Sequence, residues 1–120
     1  MSSYELFSLA DDQRRQAIAC EQVRADVDRV WRGLDHVLDG PVARHGPDVW
    51  LSAVADASRL RLRQQHNHLL RLRYEIEQVA RRLQARADEL YADAARVEMA
   101  AEAALREEAR ELELQASYFQ

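Results

Sequence analysis

The sequence predicts an all-α chain folded as an antiparallel two-helix hairpin, a helix-turn-helix coiled coil whose long second helix overhangs the first. Three observations carry that expectation. Only three Gly and two Pro occur in 120 residues, and four of the five sit in Gly40-Pro41 and Gly46-Pro47, so structure-breaking residues gather at one place. Ala, Leu, Arg and Glu dominate, the composition of long helices and coiled coils. Apolar residues also recur at helical steps on both sides of the break. The length suits one domain with a modest core, expected to span residues 1–120.

Helix 1 is expected over about residues 3–39. Ser2 and Glu5 have the spacing of a capping box, and Ser8 with Asp11 offers a second start. From Leu6 the positions Leu9, Gln13, Gln16, Cys20, Val23, Val27, Val30, Leu34 and Val37 alternate steps of three and four, which draws one stripe along a helix. Ala17, Trp31 and Leu38 widen the stripe along one flank. Gly40 suits the left-handed position after a helix end, and Pro41 follows it. Gly33 stands inside helix 1, where Gly costs about 1 kcal/mol against Ala, and nothing in the sequence accounts for it. Cys20, the single cysteine, lies on the apolar stripe and reads as a small buried hydrophobe.

The turn is expected over about residues 40–51 and helix 2 over about 52–116. Pro47 favours a first helical position and Ser52 can serve as an N-cap. Leu62, Leu69, Ile76, Leu83, Leu90, Val97 and Ala104 recur every seven residues. Leu72 and Val79 supply the intermediate positions early, and Ala87, Ala94 and Ala101 supply them later. Helix 2 would be roughly 90 Å long and helix 1 only about 55 Å. Folded back, helix 1 should then cover helix 2 only to about residue 88. The segment from about Glu89 to Ala116 would need another chain to bury its stripe, since isolated helices gain little stability from propensity alone. Leu90, Val97, Ala101, Ala104 and Leu112 are the residues expected to meet that partner, and two hairpins together would make a four-helix bundle.

Charge is laid out in blocks. Residues 1–58 carry −4, residues 59–86 carry +6 and residues 87–120 carry −6, for a net −4. The basic middle of helix 2 is expected beside the acidic helix 1, with its acidic end free to meet the basic segment of a second molecule. Local pairs such as Asp28 with Arg32, Glu77 with Arg81 and Glu102 with Arg106 are the simpler use of these charges. All seventeen basic residues are Arg, a usage associated with GC-rich bacterial genomes.

Several functional classes find no residues here. No glycine-rich phosphate loop, metalloprotease helix motif or serine elbow is present. His66 and His68 stand two apart on a helix, about 200° around the axis, so one ion cannot take both. The Glu-x-x-His spacing of di-iron bundles is missing. No catalytic, cofactor-binding or metal-binding residue is therefore assigned, and the chain is expected not to be an enzyme. The Arg residues of 59–86 are scattered around the helix with only Tyr74 able to stack on a base, so no nucleic-acid partner is expected. The longest uninterrupted apolar run is four residues, far short of the ~20 that span a bilayer. With no secretory n-region either, a soluble protein without membrane insertion is expected.

The run Gly46-Pro47-Asp48-Val49-Trp50-Leu51-Ser52-Ala53-Val54-Ala55-Asp56 resembles the turn of actinobacterial WXG-type proteins, the small helical hairpins linked to type VII (ESX-type) secretion. The resemblance covers about residues 5–100 in architecture and about ten residues in motif. It implies that Trp50 is the motif Trp and that Ser52 stands where the family has Gly, with Gly46 and Pro47 shaping the turn. It further implies pairing with itself or a sister hairpin, a secreted effector being another candidate, and residence in the cytoplasm or export without a cleaved signal peptide. The family's Tyr-x-x-x-Asp/Glu export signal is missing: Ala95 follows Tyr91 and Gln78 follows Tyr74 at that spacing. Trp31-Arg32-Gly33 also spells Trp-x-Gly but falls inside helix 1. Trp50 itself has two compatible roles, a hydrophobic plug at the end of the hairpin and a surface read by a secretion component.

The expected function is thus a non-enzymatic interaction module, a WXG-like substrate, partner or targeting adaptor of a type VII secretion system. The unbroken seam of helix 2 supports an alternative, a structural coiled-coil protein forming an elongated oligomer, with helix 1 colinear or swung out.

Overall fold

The structure, a computed structural model, describes residues 1–34 and 53–119. Helix α1 spans Ser3–Leu34 and helix α2 spans Ala53–Tyr118, 66 residues without a break. No strand occurs among the described residues. The expected helix 1 end near Asp39 and the turn with Gly46, Pro47, Trp50 and Ser52 lie outside them. So does the expected start of helix 2.

Ser2 begins α1. Its Oγ accepts a hydrogen bond from the Glu5 backbone N–H at 3.2 Å, and its carbonyl accepts one from Leu6 N–H at 3.0 Å. The first bond satisfies a donor that a helix start otherwise leaves orphaned, and the second is the first intrahelical bond. The second possible start at Ser8 is already interior to α1. At the far end α2 runs two residues past the expected Ala116.

The chain forms two compact units, Met1–Gln22 with Leu83–Gln120, and Val23–Arg82. In the first unit α1 and α2 run antiparallel. Ser3 meets Glu108, Arg14 pairs with Glu98, and Glu21 accepts a hydrogen bond from the Tyr91 hydroxyl. An α1 that is colinear with α2 or swung away from it is therefore not the arrangement adopted.

Small residues line this contact. Ser3, Ala10 and Ala17 are buried at steps of seven on α1, and Ala87, Ala94 and Ala101 at the same step on α2. Methyl-sized facing side chains let two backbones approach closely, and dispersion contacts between them replace the bulk of larger side chains. Leu90, 5% exposed, is the one large side chain buried among the described residues. It packs with Ala17 and Ala87, and Cys20 lies against them as an apolar side chain, half-buried where full burial was expected. Burying a Leu is worth roughly 1.5–3 kcal/mol.

Two expectations change here. First, the centre of the α1 stripe is displaced towards its Ala17 flank. Gln16, Val23, Val30 and Leu34 are exposed, whereas Leu6, Leu9, Val27 and Trp31 are half-covered. Apolarity alone put the valines at the centre, but the closest approach selects the alanines. Second, α1 covers α2 as far as Glu108 and not merely to residue 88. The shorter reach assumed that the second helix is covered from its first residue onward. The alanine seam and its polar ties fix a register further along α2, so the segment beyond α1 is only the last few turns.

In the second unit Ala80 is buried, and Leu62, Leu69, Leu72 and Ile76 are half-covered, as their heptad spacing predicts. The Arg73 guanidinium lies 5.8 Å from the centre of the Trp31 ring, a cation–π contact. Trp31-Arg32-Gly33 sits within α1.

Candidate interaction surfaces

The two helices leave distinct surfaces, and each follows from where the seams run. On the first unit, the hairpin is closed at its end by a carboxylate. Glu108 accepts hydrogen bonds from the Ser3 backbone N–H at 2.9 Å and from the Ser3 hydroxyl at 2.7 Å. Its carboxyl is held below the usual glutamate range, first by the backbone bond and then by the hydroxyl bond, with a small opposing push from desolvation. The negative side chain also faces the positive end of the α1 dipole. The Tyr91 phenol is pushed up, chiefly because its bond to Glu21 favours the protonated form, then by desolvation and the nearby charges of Glu21 and Asp88.

The residues expected to meet a partner divide unevenly. Leu90 and Ala101 are buried within their own chain, and Val97 and Ala104 are half-covered. Leu112 is 66% exposed. The reason is the register: α1 reaches far enough to occupy the first four positions and stops short of the last. Leu114, Tyr118 and Phe119 are exposed around it, and Glu111, Leu114, Gln115, Tyr118 and Phe119 line a shallow apolar groove.

On the second unit, Val23, Val30 and Leu34 of α1 and Val79 of α2 leave apolar surface open, Val30 being 62% exposed. Leu60, Leu70 and Tyr74 are also exposed there. Local ion pairs within the basic run join Arg59 with Asp56, Arg73 with Glu77 at 3.1 Å, and Arg86 with Glu89 at 3.0 Å. Arg61, Arg63, Arg71, Arg81 and Arg82 have no ion-pair partner among the described residues.

The expected charge layout is corrected in part. In the first unit an ion pair runs from Arg14 of α1 to Glu98 of α2, so the N-terminal part of α1 meets the acidic end of α2, while in the second unit Trp31 of α1 meets Arg73 of the basic run, as expected. Along the helices, Asp28 pairs with Arg24 at 3.9 Å and Glu77 with Arg73, in place of Arg32 and Arg81. Each carboxylate thus takes the arginine four residues before it. Glu102 and Arg106 form no pair. Exposed pairs of this sort contribute only a few tenths of a kcal/mol each.

Sequence reasoning missed the Ser3–Glu108 lock, because the two residues are 105 apart and no local pattern joins them. Nothing marks the Arg14–Glu98 pair in the sequence either. Ala80, in step with Ala87, is buried, whereas Val79, the expected intermediate position, is exposed.

Among the described residues no group of His, Cys, Asp or Glu is placed to hold a metal ion, and no helix is long and apolar enough to cross a membrane. His66 and His68 are both exposed. No family model, curated protein or solved structure matches the chain.

Proposed function

We propose that the chain is a non-enzymatic protein–protein interaction module. The observation that carries this reading is the amount of apolar side chain left open on a hairpin whose own contact is already closed. Val23, Val30, Leu34 and Val79 lie exposed on one unit, and Leu112, Leu114 and Phe119 on the other. Exposed apolar surface of this kind, rimmed by charge, marks an association site. The narrower reading is a WXG-like substrate, partner or targeting adaptor of a type VII secretion system, paired with itself or a sister hairpin. Its support is the sequence of the Gly46 to Asp56 run, which leads into α2, together with two helices that fold back on each other.

Light scattering of the purified chain, alone and with the products of whatever genes flank its own, tests both levels. A stable stoichiometric complex is the expected result, and a neighbouring secretion ATPase or large toxin gene supports the narrower reading. A chain that stays monomeric and binds none of its neighbours overturns the proposal.

A further inference from the structure

The last turns of α2 carry an uncovered seam. Leu105 and Leu112 on α2 and Phe119 just past its end recur at steps of seven, beginning four residues after the buried Ala101, and all three are exposed. Glu111 and Glu113 flank Leu112, each about 100° around the helix from it. Neither has an ion-pair partner among the described residues. Around Leu112 the seam is therefore apolar with an acidic rim on both sides, while Arg106 stands beside Leu105. Two such tails would set Glu111 and Glu113 against their own copies, so like-charge repulsion disfavours tail-to-tail pairing. The complementary surface is apolar with a basic rim.

This chain has one. Leu60, Leu70 and Tyr74 are exposed on one face of the N-terminal half of α2. Arg63 and Arg81 fall on that face at helical spacing, and Arg71 adjoins it. These three arginines lack an ion-pair partner among the described residues. The block charges agree, −6 over residues 87–120 against +6 over residues 59–86.

We propose that the C-terminal turns of α2 dock on this basic, apolar face of α2 in a second copy of the chain. The inference rests on the interaction-module reading and names the partner and the surfaces. Apolar contact supplies the affinity, while the charged rims choose the partner surface and its orientation.

Two charge-reversed full-length variants test it by sedimentation. One carries Glu111→Arg and Glu113→Arg, the other Arg63→Glu, Arg71→Glu and Arg81→Glu. The wild-type chain is expected to associate with rising concentration, more weakly at high salt. Each variant alone should associate at least about tenfold more weakly, since several rim attractions become repulsions. An equimolar mixture of the two should regain wild-type association, because each tail then meets a face of opposite charge. Variants that associate as tightly as wild type, or a mixture no stronger than its components, overturn the proposal. If a variant loses its helical circular dichroism, the wild-type salt series decides, and association indifferent to salt counts against the docking. A wild-type monomer that binds a sister hairpin overturns the second-copy docking and leaves the interaction-module reading standing. A monomer that binds neither removes both.

Discussion

Replacing Ala17 by Leu probes the alanine seam at its centre. Ala17 is fully buried and packs against Ala87 and Leu90, with Cys20 half-buried beside them. The larger side chain enters a contact between helices whose facing residues are mostly methyl-sized. Overpacking of this kind costs about 1–3 kcal/mol. Intrinsic helix preference differs by only a few tenths of a kcal/mol between the two residues, too little to mask the effect. Ala19 is exposed on the same helix and provides the control, since Ala19→Leu makes the same chemical change away from the seam. It should stay within about 0.5 kcal/mol of wild type.

Urea unfolding followed by far-UV circular dichroism separates these outcomes. The midpoint should fall for Ala17→Leu at unchanged slope, and in a thermal scan the midpoint should drop by about 5–10 °C. Leu90→Ala alone should cost about 2–3 kcal/mol, because it removes the one large buried side chain among the described residues. Combined, the two substitutions exchange volume across one contact, so the double variant should be less destabilised than their sum by about 1 kcal/mol. Suppose instead that Ala17→Leu unfolds at or above the wild-type midpoint and behaves like Ala19→Leu. The helices would then not meet along the alanines, and the stripe through Cys20, Val23 and Val30 would be the better account of the contact.

Three further outcomes follow from single sites. Gly33 is helical with nothing within 4 Å of where a Cβ would stand, so Gly33→Ala should raise stability by about 0.5–1 kcal/mol in the same urea assay; a loss of stability would show that this position is occupied by something else. The Glu108 carboxyl is lowered in the folded state, so its tie to Ser3 is fully present above the unfolded glutamate pKa and is lost as pH falls through the folded value. Protection of the Ser3 amide, taken against its intrinsic exchange rate at each pH, should therefore fall on acidification below the ordinary glutamate range. In Glu108→Gln that acid step should vanish, and its persistence would refute the tie. Arg73→Gln removes the cation over Trp31 and should cost about 0.5–1 kcal/mol, with a change in Trp31 emission measured in a Trp50→Phe background; unchanged emission would mean that the ring does not feel the guanidinium.

What the sequence made legible was periodicity, and what it left hidden was register. The heptads of α2 are visible because Leu62, Leu69, Ile76, Leu83 and Leu90 repeat a chemistry at a fixed step, and every one of them is at least partly covered. Register depends on something else, namely which face of each helix allows the closest approach and which distant polar groups tie it. Ala10 and Ala17 score lower than Val23 and Val30 on any scale of apolarity, yet the alanines are buried and the valines are not. The ties from Ser3 to Glu108 and from Tyr91 to Glu21 join residues 105 and 70 apart, beyond the reach of any local pattern. The turn motif with Trp50 falls outside the described residues and gains nothing from the geometry. A stripe as strong as Cys20, Val23, Val27 and Val30 still needs a physical reason once the alanines are known to hold the hairpin together. Leaving two of its valines open lowers the stability of a lone hairpin, since roughly 25 cal/mol per Å² of apolar surface stays unburied. Burial against a second surface removes that deficit. The exposed valines of α1 are thus the side chains that argue most directly for a partner.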